Sequence, residues 1–315
     1  MDVLVDGVLV LAGLVVLIAG GHWLLRGAVE LSLRLSIPKI VIGMTVVSLA
    51  TSAPELIVSA QAALAGYPDL ALGNVVGSNT ANLGLVLAVT LLIGHVNVRP
   101  AFYVTDWPVM MAASLLFYFF LASGPGLSRS EGLIMVGCLF AFLIYLLRFQ
   151  KPAVVEELPV ARRPLPLYKM ALLLLVGGVA LWAGSELLVR GATSLAADLG
   201  VSDRVIGITV VSVGTSIPEL AASVIAMAKR EKAMSVGNLI GSNIFNLLAV
   251  LGLTAILAPV PVLDDRLLTR DVFWMLGISF LVLPLVFFPK GLRLGWRDGI
   301  VLLACYGAFL WSTLQ

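Results

Sequence analysis

"VIGMTVVSLATSAPEL" at residues 41–56 and "VIGITVVSVGTSIPEL" at residues 205–220 are two copies of one apolar sequence, and each ends in a proline and a glutamate. A shift of 164 residues superimposes them without a gap, and 14 of the 24 positions that begin with the two copies are identical. Shared apolar composition produces scattered Leu and Val matches, but it does not align Ser, Thr, Pro and Glu at one constant offset. The two copies therefore indicate an internal duplication.

A second block extends the duplication. "GNVVGSNTANL" at residues 73–83 aligns with "GNLIGSNIFNL" at residues 237–247, again at an offset of 164. Because both blocks keep one spacing, we predict two structural repeats, at residues 1–150 and 168–315, joined by a charged linker at 151–167.

The composition is typical of a membrane protein. Of the 315 residues, 60% are hydrophobic and 12% are charged, and the mean hydropathy is +1.06. A soluble domain needs a more polar surface than this composition can supply. A membrane-spanning helix needs roughly 20 apolar residues, and the apolar runs are too long and too continuous for the alternating strands of a β-barrel. We predict an all-α membrane protein with ten transmembrane helices at about 3–24, 40–64, 70–93, 104–122, 131–148, 168–188, 205–228, 233–257, 272–288 and 298–314.

The odd number of spans in each repeat fixes how the repeats are related. Five spans end on the side of the membrane opposite to their start, so the second repeat enters upside down. Two inverted five-helix repeats are typical of secondary transporters, which bind substrate near the bilayer midplane between the repeats.

The basic residues predict the orientation. With the N-terminus outside, 15 of the 20 Lys and Arg residues fall in loops on the inner side. Cytoplasmic loops of membrane proteins carry such an excess. We therefore predict that both termini lie outside, that the linker is cytoplasmic and that no signal peptide is cleaved.

Polar residues form stripes along four of the predicted helices. In the first motif they recur every three to four residues, which places them on one helix face. The members are Ser48, Thr51, Ser52, Glu55 and Ser59, then Ser212, Thr215, Ser216, Glu219 and Ser223 in the second copy, with Asn74, Ser78 and Asn82 and their counterparts Asn238, Ser242 and Asn246 on the following helices. We expect the four stripes to converge at the centre of the bundle.

The two glutamates decide what such a centre does. A charge at mid-membrane costs roughly 2.5–3.5 kcal/mol on insertion scales, and no Lys or Arg lies at a depth similar to Glu55 or Glu219. They must therefore be protonated or neutralised by a bound cation. Pro54 and Pro218 cannot donate a backbone hydrogen bond, so carbonyls one turn earlier, including that of Gly214, are released. Carboxylate, hydroxyl, amide and carbonyl oxygens together suit Ca²⁺, which takes 6–8 oxygen ligands, and also Na⁺.

At these residues the chain resembles a known family. "ATSAPE" and "GTSIPE", each followed by a "GN-x-x-GSN" block, are similar to the two α-repeats of the cation/calcium exchangers, here at 41–84 and 205–248, and most of all to prokaryotic sodium/calcium exchangers. The resemblance implies an antiporter of the prokaryotic plasma membrane that exchanges Na⁺ for Ca²⁺ by alternating access. It also implies that the first and sixth spans move, with sliding contacts at Gly13, Gly20, Gly21, Gly177, Gly178 and Gly184.

The resemblance further implies a set of ion ligands. Calcium would bind Glu55 and Glu219 with the main-chain carbonyls of Thr51 and Thr215. Sodium would use the same glutamates at two flanking sites. One adds Ser78, Ser216 and the carbonyl of Ser48, and its mirror adds Ser242, Ser52 and the carbonyl of Ser212. Asn82 and Asn246 would face the central position. The potassium-dependent branch and some prokaryotic relatives have aspartate at the position of Asn246, so the amide argues against potassium cotransport.

Three other functions stay open as alternatives. A calcium/proton exchanger is the nearest, because buried glutamates can carry protons. An intramembrane enzyme would need a Ser/His pair, a metal cluster or paired Asp, whereas His22 and His95 lie outside the stripes. A cation channel is the third. We predict no enzymatic activity, no cofactor, no nucleic acid and no obligatory protein partner; the partners are Na⁺, Ca²⁺ and the lipid bilayer.

Overall fold

The computed structural model describes residues 3–149, 165–198, 212–289 and 291–314. Most of the predicted linker and the beginning of the predicted span 205–228 lie outside these residues. The described chain is almost entirely helical. Its main helices are α1 (Val3–Leu35), α2 (Lys39–Thr51), α3 (Ala53–Leu64), α4 (Pro68–Ile93), α5 (Phe102–Ser123), α6 (Arg129–Phe149), α7 (Leu167–Asp198), α8 (Ile217–Ala228), α9 (Lys232–Leu257), α10 (Leu267–Phe287) and α11 (Trp296–Leu314).

These helices make the chain an all-α membrane protein. Within the described residues, seven helices are long and apolar enough to cross a membrane, and the bent pair α2–α3 brings the number to eight. Helix α8 is a shorter apolar helix, and α11 is 19 residues long.

Helices α1 and α7 are longer than the sequence predicted. The predicted segments ended at 24 and 188, but α1 has 33 residues and α7 has 32. At 1.5 Å per residue, α1 is about 50 Å long, whereas the hydrocarbon core of a bilayer is about 30 Å thick. The charged residues after position 24 therefore lie on a continuation of the helix and not in a loop.

The predicted helix 40–64 is broken in the middle. α2 and α3 meet at Ser52 with a bend of 45°, and the backbone of Ser52 has φ −88° and ψ 3°. Pro54 lies in the first turn of α3, where its missing N–H costs nothing because no helical acceptor exists for it there. Ser216 has the same conformation before α8, with φ −87° and ψ 2°.

The duplication of the sequence recurs in the structure, element by element. The range of α3 becomes that of α8 when 164 is added, and α4 corresponds to α9 in the same way. Both α4 and α9 contain a six-residue π-helical segment, Asn82–Leu87 and Asn246–Leu251. These two helices form the centre, because 72% and 89% of their most apolar stretches are buried, against 28–44% for the other long helices.

Two short antiparallel ladders join the halves. Strand β1 (Val96–Asn97) pairs with β4 (Arg293–Leu294), and β2 (Gly126–Leu127) pairs with β3 (Val260–Pro261). Each ladder therefore takes one strand from each half of the chain.

Helices α1 and α7 pack against each other along glycines. A Cβ added at Gly13 would lie 2.7 Å from the nitrogen of Leu188, and one at Gly184 would lie 2.7 Å from the nitrogen of Leu17. Gly13, Gly20 and Gly27 of α1 contact Leu188, Leu181 and Leu174 of α7 in that order, so the two helices run antiparallel. The glycines in this contact are spaced by seven residues: Gly13, Gly20 and Gly27 in α1, and Gly177, Gly184 and Gly191 in α7.

Two glycines expected in this contact lie elsewhere. Gly21 faces the side chain of Ile225 in α8, and Gly178 lies within van der Waals distance of Ala50. A seven-residue repeat returns to nearly the same helix face, whereas adjacent residues lie about 100° apart. Gly20 and Gly21 therefore cannot both face α7.

Candidate cation site

Each glutamate of the duplicated motif lies in the first turn of a helix that starts at the break. Glu55 is the third residue of α3 and Glu219 the third of α8, and both are 0% exposed. The break places the positive end of each helix dipole beside a carboxylate, which favours negative charge there.

Glu219 is held by hydroxyl groups from both halves. The Oγ of Ser52 donates to Glu219 Oε1 at 3.1 Å, and the Oγ of Ser242 donates to the same oxygen at 3.4 Å. Thr51 Oγ1 lies 3.4 Å from Ser242 Oγ. The structure therefore gathers three of the predicted ligand residues around Glu219.

Glu55 is buried without such support. Neither of its carboxylate oxygens has a hydrogen-bond partner in the described part of the chain. The same holds for Glu219 Oε2, Ser216 Oγ, Asn82 Oδ1 and both side-chain polar atoms of Asn246. Buried polar groups in proteins are nearly always paired. These unpaired oxygens are therefore potential ligands for a cation.

Two more of the predicted ligands contact each other across the two repeats. Ser78 Oγ lies 3.2 Å from Thr215 Oγ1, which mirrors the contact between Thr51 and Ser242. Ser48 Oγ donates to the carbonyls of Gly43 and Asn238. All of the predicted site residues with described side chains are buried except Thr215, which is half-buried. The side chain of Ser212 lies outside the described residues.

The carbonyl of Ser48, expected to bind sodium, already accepts two hydrogen bonds. The Ser52 N–H donates to it at 2.8 Å and Thr51 Oγ1 at 3.3 Å. A carbonyl oxygen has two lone pairs, so these donors would have to shift for Ser48 to bind an ion in the expected way.

Asparagines outside the predicted ligand set position the central helices. Asn74 Nδ2 donates to Ser59 Oγ at 3.0 Å, and Asn238 Nδ2 donates to Ser223 Oγ at 3.1 Å. The two bonds are equivalent under the offset of 164. Asn243, also outside the set, accepts a hydrogen bond through its Oδ1 from Nδ2 of the predicted ligand Asn82 at 3.3 Å, which ties α4 to α9.

Ser185 is a residue of the site that the sequence reasoning missed. Its Oγ donates to the carbonyl of Gly214 at 2.8 Å, and this is the carbonyl that Pro218 releases from its helical partner. A lone serine in the apolar stretch of α7 was the available signal. The equivalent position in α1 is Gly21, so the repeat offered no second copy to draw attention to it.

A cavity of about 430 Å³ reaches this region from one side. Its lining includes Pro54, Asn74 and Thr215 from the duplicated motifs, with Trp182 and Ser185 from α7. At Gly73, which borders the cavity, nothing lies within 4 Å of an added Cβ. The equivalent Gly237 packs instead on the backbone of Ile40. The space beside the site is therefore open at Gly73 and filled by packed backbone at the equivalent Gly237.

Known proteins are similar to this chain in sequence and in fold. The family model described as "Sodium/calcium exchanger protein" matches residues 6–148 and 169–315. The "Putative antiporter CaxA" of Alkalimonas amylolytica is 38% identical over 310 residues, covering 96% of this chain and 97% of that protein. The "Inner membrane protein YrbG" of Escherichia coli is 31% identical, covering 97% and 95%.

A solved structure of the sodium-calcium exchanger NCX_Mj, soaked with zero Na⁺ and Ca²⁺, superimposes with a TM-score of 0.81. The two sequences are 28% identical, and the match covers 99% of both chains. Together with the duplicated motifs, these matches show that the chain belongs to the sodium/calcium exchanger family, whose members are membrane transporters and not enzymes.

Proposed function

We propose that this protein is an antiporter that exchanges Na⁺ for Ca²⁺ by alternating access. The observation that carries the proposal is the buried pair Glu55 and Glu219, which has no ion pair with Lys or Arg in the described chain. Two carboxylates without compensation are costly in a dry interior. A bound cation removes this cost, so a transported ion is part of the stable structure of the site.

The ligands divide as the family resemblance implies. Ca²⁺ binds Glu55 and Glu219 with the carbonyls of Thr51 and Thr215, and Asn82 and Asn246 face this central position. Na⁺ binds at the two flanking sites. The residues that complete those sites are Ser78, Ser216 and the carbonyl of Ser48 on one side, and Ser52, Ser242 and the carbonyl of Ser212 on the other. The contacts of Ser52 and Ser242 with one oxygen of Glu219 support the second group.

Coupling follows from charge and from shared ligands. The ionised site carries two negative charges, which one Ca²⁺ or two Na⁺ neutralise. Moving the empty charged site across the bilayer is unfavourable, so the carrier changes its access only when it is loaded. Ca²⁺ and Na⁺ compete for the same glutamates, so each excludes the other and net movement of one requires countermovement of the other.

We place the protein in the prokaryotic plasma membrane as ten spans in two inverted five-helix repeats, 1–150 and 168–315. Both termini lie outside and the linker at 151–167 is cytoplasmic. The antiparallel packing of α1 on α7 supports the inversion, because equivalent helices of inverted repeats run in opposite directions. The name of the relative YrbG supports the inner membrane.

In this orientation the 430 Å³ cavity opens to the outside. On the cytoplasmic side, α2 packs against α9, and Lys39 Nζ pairs with Glu231 at 2.8 Å. The open cavity on one side and the packed helices on the other support an outward-open state in this proposal. Helices α1 and α7 are the moving pair, and their glycine contact lets them slide past the site while the motif helices stay in place.

The decisive experiment measures ⁴⁵Ca²⁺ uptake into proteoliposomes that hold the purified protein. An outward Na⁺ gradient at equal pH should drive uptake, and a pH gradient without Na⁺ should not. Uptake that follows the pH gradient and ignores Na⁺ would replace this proposal with calcium/proton exchange. Uptake that needs no counter-ion would indicate a channel.

A further inference from the structure

A second cavity, of about 170 Å³, lies at the other end of the molecule. It lies where the β1–β4 ladder meets the first turn of α11 and the end of α4. Three of its lining residues are His95, Arg293 and Arg297, and Trp296 and Asp298 lie beside them. The proposed ion pathway uses none of these residues.

The charge at this cavity is predominantly positive. Arg293 and Arg297 are exposed, and neither forms an ion pair with any residue that the structure describes. The guanidinium of Arg297 lies 5.3 Å from the ring centroid of Trp296. The one acid, Asp298, is 6% exposed, and its Oδ2 accepts a hydrogen bond from the Gly295 N–H at 2.7 Å.

The β2–β3 ladder and α6 form an equivalent corner at the other end of the molecule, and comparing the two corners shows which of these residues the fold requires. At the opposite end, β2–β3 meets the start of α6, and Glu131 Oε2 accepts from the Ser128 N–H at 2.7 Å as Asp298 does from Gly295. The acidic cap therefore belongs to the fold. The basic residues do not. Matching the strand pair Val96–Leu294 to the pair Val260–Leu127 gives an offset of 164 for His95 but of 167 for Arg293 and Arg297, so their equivalents are Pro259, Gly126 and Ser130. Only the position of Trp296 has a basic counterpart, Arg129.

Exposed apolar side chains lie directly beside the cavity. Leu92, Ile93, Trp296 and Phe288 are 47%, 50%, 56% and 74% exposed. Tryptophan at the end of a spanning helix is typical of the membrane–water interface. Basic pockets between helices at the cytoplasmic interface bind the headgroups of anionic lipids, and the orientation proposed above places this end in the cytoplasmic leaflet.

We propose that this cavity binds the phosphodiester headgroup of an anionic lipid. Arg293 and Arg297 donate hydrogen bonds to the phosphate oxygens, and the acyl chains lie against the exposed apolar residues of α4 and α11. The site is separate from the cation site, so it adds a lipid ligand to the proposed transporter.

Native mass spectrometry of the full-length protein in detergent tests this proposal with phosphatidylglycerol and phosphatidylcholine as probes. Phosphatidylglycerol should bind in preference, and the double variant Arg293→Gln/Arg297→Gln should bind it about 30-fold more weakly, since each basic residue contributes about fivefold near an anionic surface. The matched control Arg129→Gln, at the opposite corner, should bind as the wild type does. The charge-preserving variant Arg293→Lys/Arg297→Lys should retain most of the binding.

Three results would overturn the proposal. They are equal binding of the two lipids, unchanged phosphatidylglycerol binding by the double glutamine variant, and displacement of the lipid by inorganic phosphate at matched concentration. The last result would mean that the cavity takes a soluble phosphate. Lipid binding is read as bound mass, so a failure of ion exchange leaves this test unaffected.

Discussion

Ser52 and Ser216 occupy equivalent positions of the two repeats, but their hydrogen bonding differs. Ser52 Oγ donates to Glu219 Oε1 at 3.1 Å, whereas Ser216 Oγ is buried without a partner in the described chain. The substitutions Ser52→Ala and Ser216→Ala remove the same atom, but only Ser52→Ala removes a hydrogen bond. They should therefore differ in their effect on stability.

The size of the difference follows from the bond that is lost. Without bound ions the buried carboxyl of Glu219 is protonated, and a hydrogen bond between neutral groups contributes about 0.5–1.5 kcal/mol, whereas an unpaired buried hydroxyl contributes nothing favourable. Ser52→Ala should lower the free energy of unfolding by about 0.5–1.5 kcal/mol. Ser216→Ala should leave it within about 0.5 kcal/mol of wild type, or raise it slightly, because a buried polar group without a partner is removed.

The assay is denaturant-induced unfolding in detergent micelles without Na⁺ or Ca²⁺, because a bound ion would add its own stabilisation. Sodium-driven calcium uptake by the same variants gives the functional comparison. Both variants should lose much of it, because both serines are proposed sodium ligands. Equal losses of stability, or a larger loss for Ser216→Ala, would refute the reasoning from the asymmetric hydrogen bonds.

Further predictions concern the ion site and the long helices. Glu55→Gln and Glu219→Gln should each abolish ⁴⁵Ca²⁺ uptake in proteoliposomes while membrane expression stays near wild type, and residual uptake above one-tenth would contradict the paired-carboxylate site. Gly184→Ala should cost about 1–3 kcal/mol of stability and slow exchange, because its Cβ would meet the α1 backbone. The control Gly137→Ala, with open space around it, should do neither. Equal unfolding free energies of the two variants would contradict close packing of α1 on α7. Asn246→Asp should change the Na⁺ or pH dependence of uptake, since it adds a carboxylate beside two others, and identical ion titrations would argue against its central placement.

The sequence predicted most of the helices, because the spans are long apolar runs with polar boundaries. The predicted segment 233–257 corresponds to α9 at Lys232–Leu257, and 104–122 to α5 at Phe102–Ser123. Helices α1 and α7 were predicted too short because each predicted span was ended where its apolar run meets charged residues. Arg26, Glu30 and Arg34 look like a loop in hydropathy, although a helix can continue into the interface when its polar residues reach water.

The break within 40–64 was only partly predictable. Pro54 indicated a kink, but its size of 45° and the position of the break at Ser52 depend on how α3 packs. The π-helical segments and the two ladders had no signal, since two-residue strands are too short for any alternating pattern. The ladders form because the loops of the two halves meet in space.

The residues of the candidate site were predictable to the extent that they were duplicated. The stripes around Glu55 and Glu219 appear twice, so each copy supported the other. Ser185 has no counterpart, and its contact with the carbonyl of Gly214 depends on the crossing of α7 over the break. The hydrogen-bonding difference between Ser52 and Ser216 was equally hidden, because identical motifs say nothing about departures from symmetry.

The two ladders have a consequence for biosynthesis. Strand β1 is made early, but its partner β4 follows almost 200 residues later, and β2 must wait for β3. The first half leaves the ribosome with two unpaired strand edges and with Asn82 lacking its partner Asn243. Contacts this distant in sequence form late in folding, so the nascent first half stays incomplete until the second is inserted, and a chain truncated at the linker should be degraded and not accumulate.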